Sequence, residues 1–189
     1  MRLKILPLTP DLWSDFEDLF GEHGAFGGCW CMYWRIGSAF AKRPRDLNKR
    51  EFHNIVKRGP PPGLLAFDGD LAVGWCQITP RSSLPRLDKR RFTKAVDDLP
   101  VWSISCFYVR VGYRRRGVMT ALIDAAVKSA RRAKAPALEV YPVDTAEPKS
   151  SSSIYTGTAA AFLRAGFKPV ARRVPHRPVM RHDLKSKRA

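Results

Sequence analysis

The sequence predicts one mixed α/β domain in which helices flank a central β-sheet. Its 189 residues, of which 44% are hydrophobic, suffice for a single domain with a substantial core. Short β-rich apolar runs are interspersed with segments in which apolar residues recur at helical spacing. A strand pattern, a basic turn and a helical pattern also follow one another within residues 109–120.

The first third of the chain predicts a strand and two helices. Residues 3–8 form a short apolar strand, after which helical spacing connects Leu12, Phe16, Leu19 and Phe20. A glycine-rich, aromatic stretch covers residues 24–34. Asp46 can cap a second helix, whose apolar residues are Leu47, Phe52, Ile55 and Val56.

The middle of the chain predicts a hairpin and a loop. Residues 64–67 and 71–79 flank a tight turn at residues 68–70, which is typical of a β-hairpin. Residues 80–100 are basic and irregular, so we expect a surface loop with one short helix.

The last third predicts strands and helices in alternation. A β-rich run at residues 102–109 precedes a helix with the apolar stripe Val118, Leu122, Ala125 and Ala126, which Pro136 ends. A strand at 137–141 and a helix at 158–165, with Gly166 as its C-cap, follow. Strands at 167–172 and 178–184 complete one domain over residues 1–184, and residues 185–189 form a basic tail.

The net charge of +17 predicts attraction to polyanions without choosing among them. One candidate is a nucleic acid, since the sequence pI is near 10.3. However, the chain has no zinc-finger or clear RNA-binding signature, and its basic clusters are scattered. We therefore expect no specific nucleic-acid recognition, and a basic nucleic-acid-binding protein stays an alternative.

The sequence predicts a cytoplasmic protein without a membrane segment, a metal or a disulfide. The N-terminus lacks the apolar region of a signal peptide, and no stretch approaches the roughly 18–20 apolar residues that span a bilayer. The four cysteines do not form a dense disulfide framework, and a reduced compartment would keep them as thiols. Cys29 and Cys31, with His23 nearby, lack the ligand spacing of a zinc site.

Residues 109–120 predict a pyrophosphate cradle. A helix N-terminus offers unpaired N–H groups and the positive end of a dipole, and Gly117 lets a phosphate approach the backbone. Arginines at positions 114–116 would add charge-assisted hydrogen bonds.

This segment resembles the coenzyme-binding motif of the GNAT superfamily of N-acetyltransferases, Arg/Gln-x-x-Gly-x-Gly/Ala. Arg114 and Gly117 match its first and fourth positions, whereas Met119 departs from the last. Residues 138–140 and 159–167 resemble a strand and a later helix of the same enzymes. Residues 29–34, 102–103, 155–158 and 177–180 also resemble a bacterial subgroup of the superfamily.

The resemblance implies a mostly antiparallel sheet with splayed fourth and fifth strands, and acetyl-CoA as the cosubstrate. By position, backbone groups of the fourth strand would bind the pantetheine arm, and the turn would bind the pyrophosphate. The residues concerned are Phe107, Tyr108, Val109, Arg114, Arg115, Arg116, Gly117, Val118, Met119 and Thr120. A primary amine of the acceptor would attack the acetyl thioester directly.

The resemblance identifies the catalytic residues less clearly than the cofactor site, because several residues are candidates for each role. Many relatives have a tyrosine as general acid four residues before the Gly-Phe pair, where this chain has Phe162. Tyr155 is the main substitute, with Cys106 and Tyr108 as further candidates. Glu139 matches a strand glutamate that serves as base in some relatives; alternatively it pairs with a basic side chain. Other titratable candidates are His53 and His176.

The resemblance implies that the acceptor is a small-molecule or protein amine. Because relatives often dimerise, it also leaves a homodimer as an option. Candidate pocket residues in the aromatic stretch are Trp30, Met32, Tyr33 and Trp34, which can equally belong to a loop packed into the core. Because Met119 and Phe162 depart from the family pattern, a protein that binds acetyl-CoA as a sensor or scaffold without catalysis is a second alternative.

Overall fold

A computed structural model of the chain describes residues 2–144 and 154–184. Within them, seven strands form one sheet in the order β1-β2-β3-β4-β5-β7-β6. The strands are β1 Leu3–Pro7, β2 Gly63–Asp68, β3 Leu71–Pro80, β4 Trp102–Val109, β5 Ala137–Val140, β6 Lys168–Arg172 and β7 Pro178–Asp183. Among these seven described strands, β4 and β5 pair in parallel and the other neighbours pair antiparallel. The predicted fold class, a mostly antiparallel sheet in a mixed α/β domain, is confirmed.

Five α-helices are present in the described residues: α1 Trp13–Phe20, α2 Tyr33–Ile36, α3 Arg45–Arg58, α4 Val118–Arg132 and α5 Ala159–Arg164. The four longer helices match the predicted segments, whereas the single turn of α2 was not predicted. The loop between β3 and β4 contains three short 3₁₀ helices, Arg81–Ser83, Pro85–Lys89 and Arg91–Thr93, instead of one helix. The predicted basic tail at 185–189 lies outside the described residues.

Two predicted helix ends differ from the structure. Asp46 is not the cap of α3, because the helix begins one residue earlier and Pro44 precedes it in extended conformation, with ψ 137°. Pro136 does not end α4. That helix stops at Arg132, where Lys134 adopts a left-handed conformation with φ 56° and the Ala135 N–H donates to the Ala130 carbonyl at 3.0 Å.

α5 ends at Arg164 with Ala165 as its cap, and the predicted C-cap Gly166 follows one residue later in the turn that ends the helix. Gly166 has φ 84°, and the N–H of Phe167 donates back to the carbonyl of Phe162 at 3.0 Å. The rings of these two phenylalanines pack 5.1 Å apart. This turn directs the chain from α5 into β6.

The two faces of the sheet carry separate apolar cores. On one face α4 and α5 cover the strands through residues that include Leu122, Ala126 and Phe162. On the other face α1 and α3 pack on the strands through Phe16, Phe52 and others. Most β2 and β3 residues are buried, as expected for strands covered on both faces.

The parallel pairing of β4 and β5 stops after three residue pairs, the last being Ile104 with Val140. Beyond it β4 follows β3 alone, with a register shift at Ser105, where β4 has one more residue than its partner. The N–H of Phe107 then donates to the carbonyl of Tyr155 at 2.6 Å instead of to β5. The two strands therefore separate along the second half of β4.

Among the described residues, none of the helices combines the length and the apolar character that a bilayer span requires.

Gly74 determines how closely α4 packs on β3. A Cβ atom at this position would lie 2.5 Å from the Cγ1 atom of Val118. We therefore expect Gly74→Ala to lower the free energy of unfolding by about 1–3 kcal/mol, the usual cost of overpacking, in urea denaturation.

The control for this prediction is the Val118→Ala substitution, which removes the clashing methyl group. In the double variant the two effects should be less than additive, because the new Cβ fits the space that Val118 vacates. Strict additivity would show that Gly74 does not set this contact.

Candidate active site

Two neighbouring cavities lie where β4 separates from β5. The larger has a volume of about 690 Å³ and the smaller about 510 Å³. Both are lined by Phe107, Tyr108, Arg114 and Tyr155. The cavities therefore meet at the second half of β4.

The smaller cavity runs from the end of β4 to the start of α4. Its further lining residues are Val109, Tyr113, Arg115, Gly117, Val118, Met119, Thr120 and Ile154. Of the ten residues predicted to bind the cofactor, nine line this cavity. The tenth, Arg116, is exposed and lies over the Tyr113 ring, with its guanidinium 5.7 Å from the ring centroid.

The turn before α4 has the backbone shape of an anion site. Gly117 caps the helix with φ 82° and Arg115 has φ 60°, a conformation that is uncommon for residues other than glycine. The N–H groups of Val118, Met119 and Thr120 lie in the first helical turn, where no intrahelical acceptor exists. These donors and the helix dipole favour a negatively charged group in the smaller cavity.

The open edge of β4 presents backbone groups from alternate residues. Phe107 donates to Tyr155 on this side, and the carbonyl of Val109 accepts from the Arg114 Nε atom at 3.3 Å. Because alternate residues of a strand direct their backbone groups to the same neighbour, Tyr108 bonds toward β3 instead. The groups on this edge that these two bonds do not use are the carbonyl of Phe107 and the N–H of Val109, and an extended chain can bind there.

The larger cavity is mostly apolar. Its further lining residues are Phe20, Gly24, Ala25, Phe26, Cys29, Cys31, Tyr33, Trp34, Phe40, Gln77 and Cys106. Of the described residues that line it, none is an aspartate, a glutamate or a histidine. Sequence reasoning missed Phe26 and Phe40, although the aromatic residues around the glycine-rich stretch were an available signal.

The four predicted acceptor residues divide into two pairs. Tyr33 and Trp34 line the larger cavity, and Trp34 also donates its Nε1–H to the carbonyl of Ser105 at 3.1 Å. Trp30 and Met32 are each only 3% exposed, belong to the core beneath α1 and line neither cavity. Their positions favour the alternative reading of a loop packed into the core.

Tyr155 and Tyr108, both candidates for the general acid, line both cavities. Tyr155 is the main candidate of the two. Burial raises the pKa of its hydroxyl well above the ordinary tyrosine range, with smaller contributions in the same direction from Cys106 and Tyr33. The hydroxyl therefore stays protonated at neutral pH. Phe162, at the position where relatives have a tyrosine, is fully buried between Phe107 and Phe167.

Three thiols line the larger cavity. Burial raises the pKa of Cys29 to about 12 and raises that of Cys31 well above its ordinary value. Cys31 also accepts a hydrogen bond from the Trp75 Nε1 atom at 3.1 Å. These two cysteines are neutral thiols at physiological pH and therefore poor nucleophiles. Cys106 is half-buried on β4.

Glu139 lies outside both cavities and is paired with an arginine. It is 1% exposed, and its Oε1 atom accepts from the Arg181 Nη2 atom at 2.6 Å. Arg181 also binds Asp97, at 2.7 Å. The remaining carboxylate oxygen of Glu139 lies 3.4 Å from the Tyr141 hydroxyl. These contacts favour a structural ion pair, while the predicted role as base stays untested.

The other titratable candidates also lie outside the cavity walls. His53 stacks on Trp13 with ring centroids 4.1 Å apart, and the carbonyl of His176 accepts from the Asp144 N–H. In residues 2–144 and 154–184, no group of three His, Cys, Asp or Glu side chains has the arrangement of a metal site.

Comparisons with known proteins agree with this geometry. The sequence profile of the acetyltransferase (GNAT) family matches residues 28–150, which is more than half of the chain. A search of the curated proteins found no match to this sequence.

Three solved structures illustrate the likeness of fold. Histone acetyltransferase HPA2 and related acetyltransferase from Corynebacterium glutamicum is 19% identical, with 100% of each chain covered and a TM-score of 0.58. PaiA N-acetyltransferase from Thermoplasma acidophilum, in complex with coenzyme A, is 13% identical, with 97% of this chain and 99% of that chain covered and a TM-score of 0.56. YncA from Salmonella typhimurium, with its cofactor acetyl-CoA, is 13% identical, with 99% and 96% covered and a TM-score of 0.55.

The ion pair of Glu139 gives the first functional test. Glu139→Gln removes the buried negative charge beside the half-buried Arg181 and leaves the exposed Asp97 as its charged partner, so we expect the free energy of unfolding to fall by about 1–3 kcal/mol. Denaturant titration measures this loss, and turnover per folded molecule should stay close to that of the parent.

The opposite pattern would assign Glu139 to catalysis. A folded Glu139→Gln protein with parental stability and a kcat lower by about 100-fold would identify a general base. The comparison requires conditions in which chemistry limits the rate.

Proposed function

This chain belongs to the acetyltransferase (GNAT) family, and from that membership we propose that it is an N-acetyltransferase which transfers the acetyl group of acetyl-CoA directly to a primary amine. The observation that carries this proposal is the junction of the two cavities at Phe107, Tyr108, Arg114 and Tyr155. A cosubstrate in the smaller cavity and an acceptor in the larger one would meet at this point. No covalent enzyme intermediate is needed for such a transfer.

The smaller cavity fits the diphosphate and pantetheine parts of acetyl-CoA. The N–H groups of Val118, Met119 and Thr120, together with the Arg114 and Arg115 side chains, would bind the pyrophosphate. The carbonyl of Phe107 and the N–H of Val109 on the open edge of β4 would bind the pantetheine amides. Met119 lines the cavity where relatives have glycine or alanine, and its N–H is still available because it lies in the first turn of α4.

The transfer requires two proton movements. As the amine nitrogen bonds to the acetyl carbon, the bond to the CoA sulfur breaks and the sulfur needs a proton. Tyr155 lies at the junction with its hydroxyl protonated, so we assign it the role of donor. The amine must lose its own proton, and none of the described residues that line the larger cavity is a carboxylate or a histidine.

The second candidate function is binding of acetyl-CoA without catalysis. It is favoured by Phe162, whose buried phenyl ring cannot act as the acid that many relatives have in that position. Release of free CoA in the presence of an amine distinguishes the two candidates. A sensor would bind acetyl-CoA but would produce no free CoA when an amine is added.

Binding at the turn is tested by Gly117→Asp. The added carboxylate would face phosphate, and the side chain would occupy space that the backbone needs. We expect acetyl-CoA affinity to fall about 100-fold, equivalent to about 3 kcal/mol, in calorimetric titration.

Gly112→Asp is the matched control. Gly112 also has a left-handed conformation, φ 90° against 82° at Gly117, and also has open space where a Cβ would stand, but it does not line the cavity. It should bind acetyl-CoA like the parent. Equal weakening in both variants would place the phosphates elsewhere.

The donor role of Tyr155 is tested by Tyr155→Phe. We expect kcat to fall by about 100-fold while the affinity for acetyl-CoA stays nearly constant, because only the hydroxyl is removed. Because the pKa of Tyr155 is raised, the parental rate should not decline on the alkaline side within the ordinary tyrosine range.

Tyr33→Phe is the control for this second test. Tyr33 lines the same cavity, but its hydroxyl accepts a hydrogen bond from the Arg90 Nη2 atom at 2.9 Å. Its loss should change kcat much less. If both variants retain the parental kcat, the proton reaches the sulfur by another route.

A further inference from the structure

The larger cavity has the chemistry of a site for an uncharged aromatic molecule. Aromatic rings supply most of its wall: Phe20, Phe26, Tyr33, Trp34, Phe40, Phe107, Tyr108 and Tyr155. Its volume of about 690 Å³ lies within the range of about 300–1,000 Å³ that small-molecule sites occupy. The polar groups in the wall include one amide, on Gln77, and one cation, on Arg114.

Glu22, which lies in sequence between two residues of the cavity wall, is exposed and is not among the lining residues, and two acidic residues of α1 are engaged elsewhere. In α1, Glu17 pairs with Lys49, and Asp18 pairs with the Arg110 guanidinium at 2.5 Å. Neither carboxylate lines the cavity. A cationic acceptor would therefore lose its hydration without gaining an anionic partner among the described residues of the cavity wall, which is costly for any buried charge.

Phe26 stands exposed at the wall of the cavity. It is 67% exposed and lies in a tight turn, where Ala25 has φ 68° and Gly24 and Gly27 also have left-handed conformations. A large apolar side chain that is held out by its own backbone and lines an apolar cavity is suited to contact a ligand. Its position indicates that the acceptor has an apolar body.

We propose that the acceptor is an aromatic compound with a single primary amine, and that the cavity takes it up as the uncharged free base. The inference rests on the proposed acetyl transfer and names the acceptor class of the same site. An apolar wall favours the neutral form of an amine by desolvation, and only the neutral form attacks the thioester. Such a site needs no carboxylate base, in agreement with the lining residues and with the pairing of Glu139 to Arg181.

Two amines of similar size test the acceptor class. 2-Phenylethylamine carries an aromatic ring and one amine, whereas 1,6-diaminohexane carries two charges and no ring. We expect kcat/KM, followed by release of free CoA, to be about 100-fold higher for 2-phenylethylamine, from burial of the ring and the cost of desolvating the second ammonium. The kcat/KM for 2-phenylethylamine should also rise with pH, in proportion to the fraction of this amine that is present as the free base. Equal or better turnover of the diamine would overturn the proposal.

A binding measurement separates this inference from the proposed function. Calorimetric titration of both amines into the CoA-bound protein should favour 2-phenylethylamine even in the absence of turnover. If acetyl-CoA binds but neither amine is acetylated, the proposed function fails, and the order of the two affinities still decides the inference. Tighter binding of the diamine would overturn it.

Variants at Phe26 connect the preference to the cavity. Phe26→Ala should raise the KM for 2-phenylethylamine about 10-fold with little change in kcat, because part of the ring contact is lost. Phe26→Glu should shift the ratio of kcat/KM values toward the diamine by adding a carboxylate. Leu163→Ala is the matched control, since Leu163 is 53% exposed and lines neither cavity. Identical effects of the Phe26 and Leu163 variants would overturn the assignment.

A further experiment tests whether the larger cavity holds a long acyl chain of the cosubstrate instead of the acceptor. The parent and Phe26→Ala are assayed with acetyl-CoA and hexanoyl-CoA and the same amine. We expect acetyl-CoA to be preferred by both proteins. A parental preference for hexanoyl-CoA that disappears in Phe26→Ala would assign the cavity to the acyl group and overturn the proposal.

Discussion

The separation of β4 from β5 after Ile104 is the constraint on which the site depends. A parallel pair that continued would satisfy its own backbone groups and leave no room between the strands. Because the pairing stops, the second half of β4 has an open edge, and both cavities form along it. An exposed backbone edge needs hydrogen-bond partners, which an extended amide-containing ligand can provide.

Side chains on both sides keep the separation in place. At the register shift, the carbonyl of Ser105 accepts from Trp34 and its hydroxyl donates to Gln77 at 2.8 Å, so the bulged residue is held by the walls of the larger cavity. The closed half of the strand pair is fixed differently. Tyr141 contacts Ser103 at 3.0 Å and accepts from Arg81 at 2.9 Å, and its hydroxyl also approaches Glu139. Glu139 thus belongs to the network that holds β5 against β4 and β7.

Periodicity and turn chemistry predicted the elements and the cofactor side of the site, because the relevant residues are neighbours in sequence. All ten predicted cofactor residues lie in two short stretches, 107–109 and 114–120, and nine of them line the smaller cavity. The acceptor side depends on contacts between distant segments and was predicted less well. Trp30 and Cys31 both have left-handed backbone conformations, with φ 45° and 57°, which disrupts the simple alternation of inward and outward side chains. The pairing of Glu139 joins residues 42 positions apart, and a local pattern cannot reveal it.

Packing explains why residue 162 supplies no hydroxyl to the junction, which Tyr155 lines. Phe162 is fully enclosed, and even a Cβ atom at Gly157 would come within 2.7 Å of its ring. A hydroxyl group on that ring would need both space and a hydrogen-bond partner, and without them its burial would be costly. Gly157 allows the backbone to pass close to the ring, and the same short segment places Tyr155 beside the open edge of β4, where its carbonyl accepts from Phe107. The phenyl ring at position 162 and the tyrosine at position 155 therefore belong to one packing arrangement. In it, α5 contributes the buried ring of Phe162 to the core, and the segment before α5 places the Tyr155 side chain at the cavities.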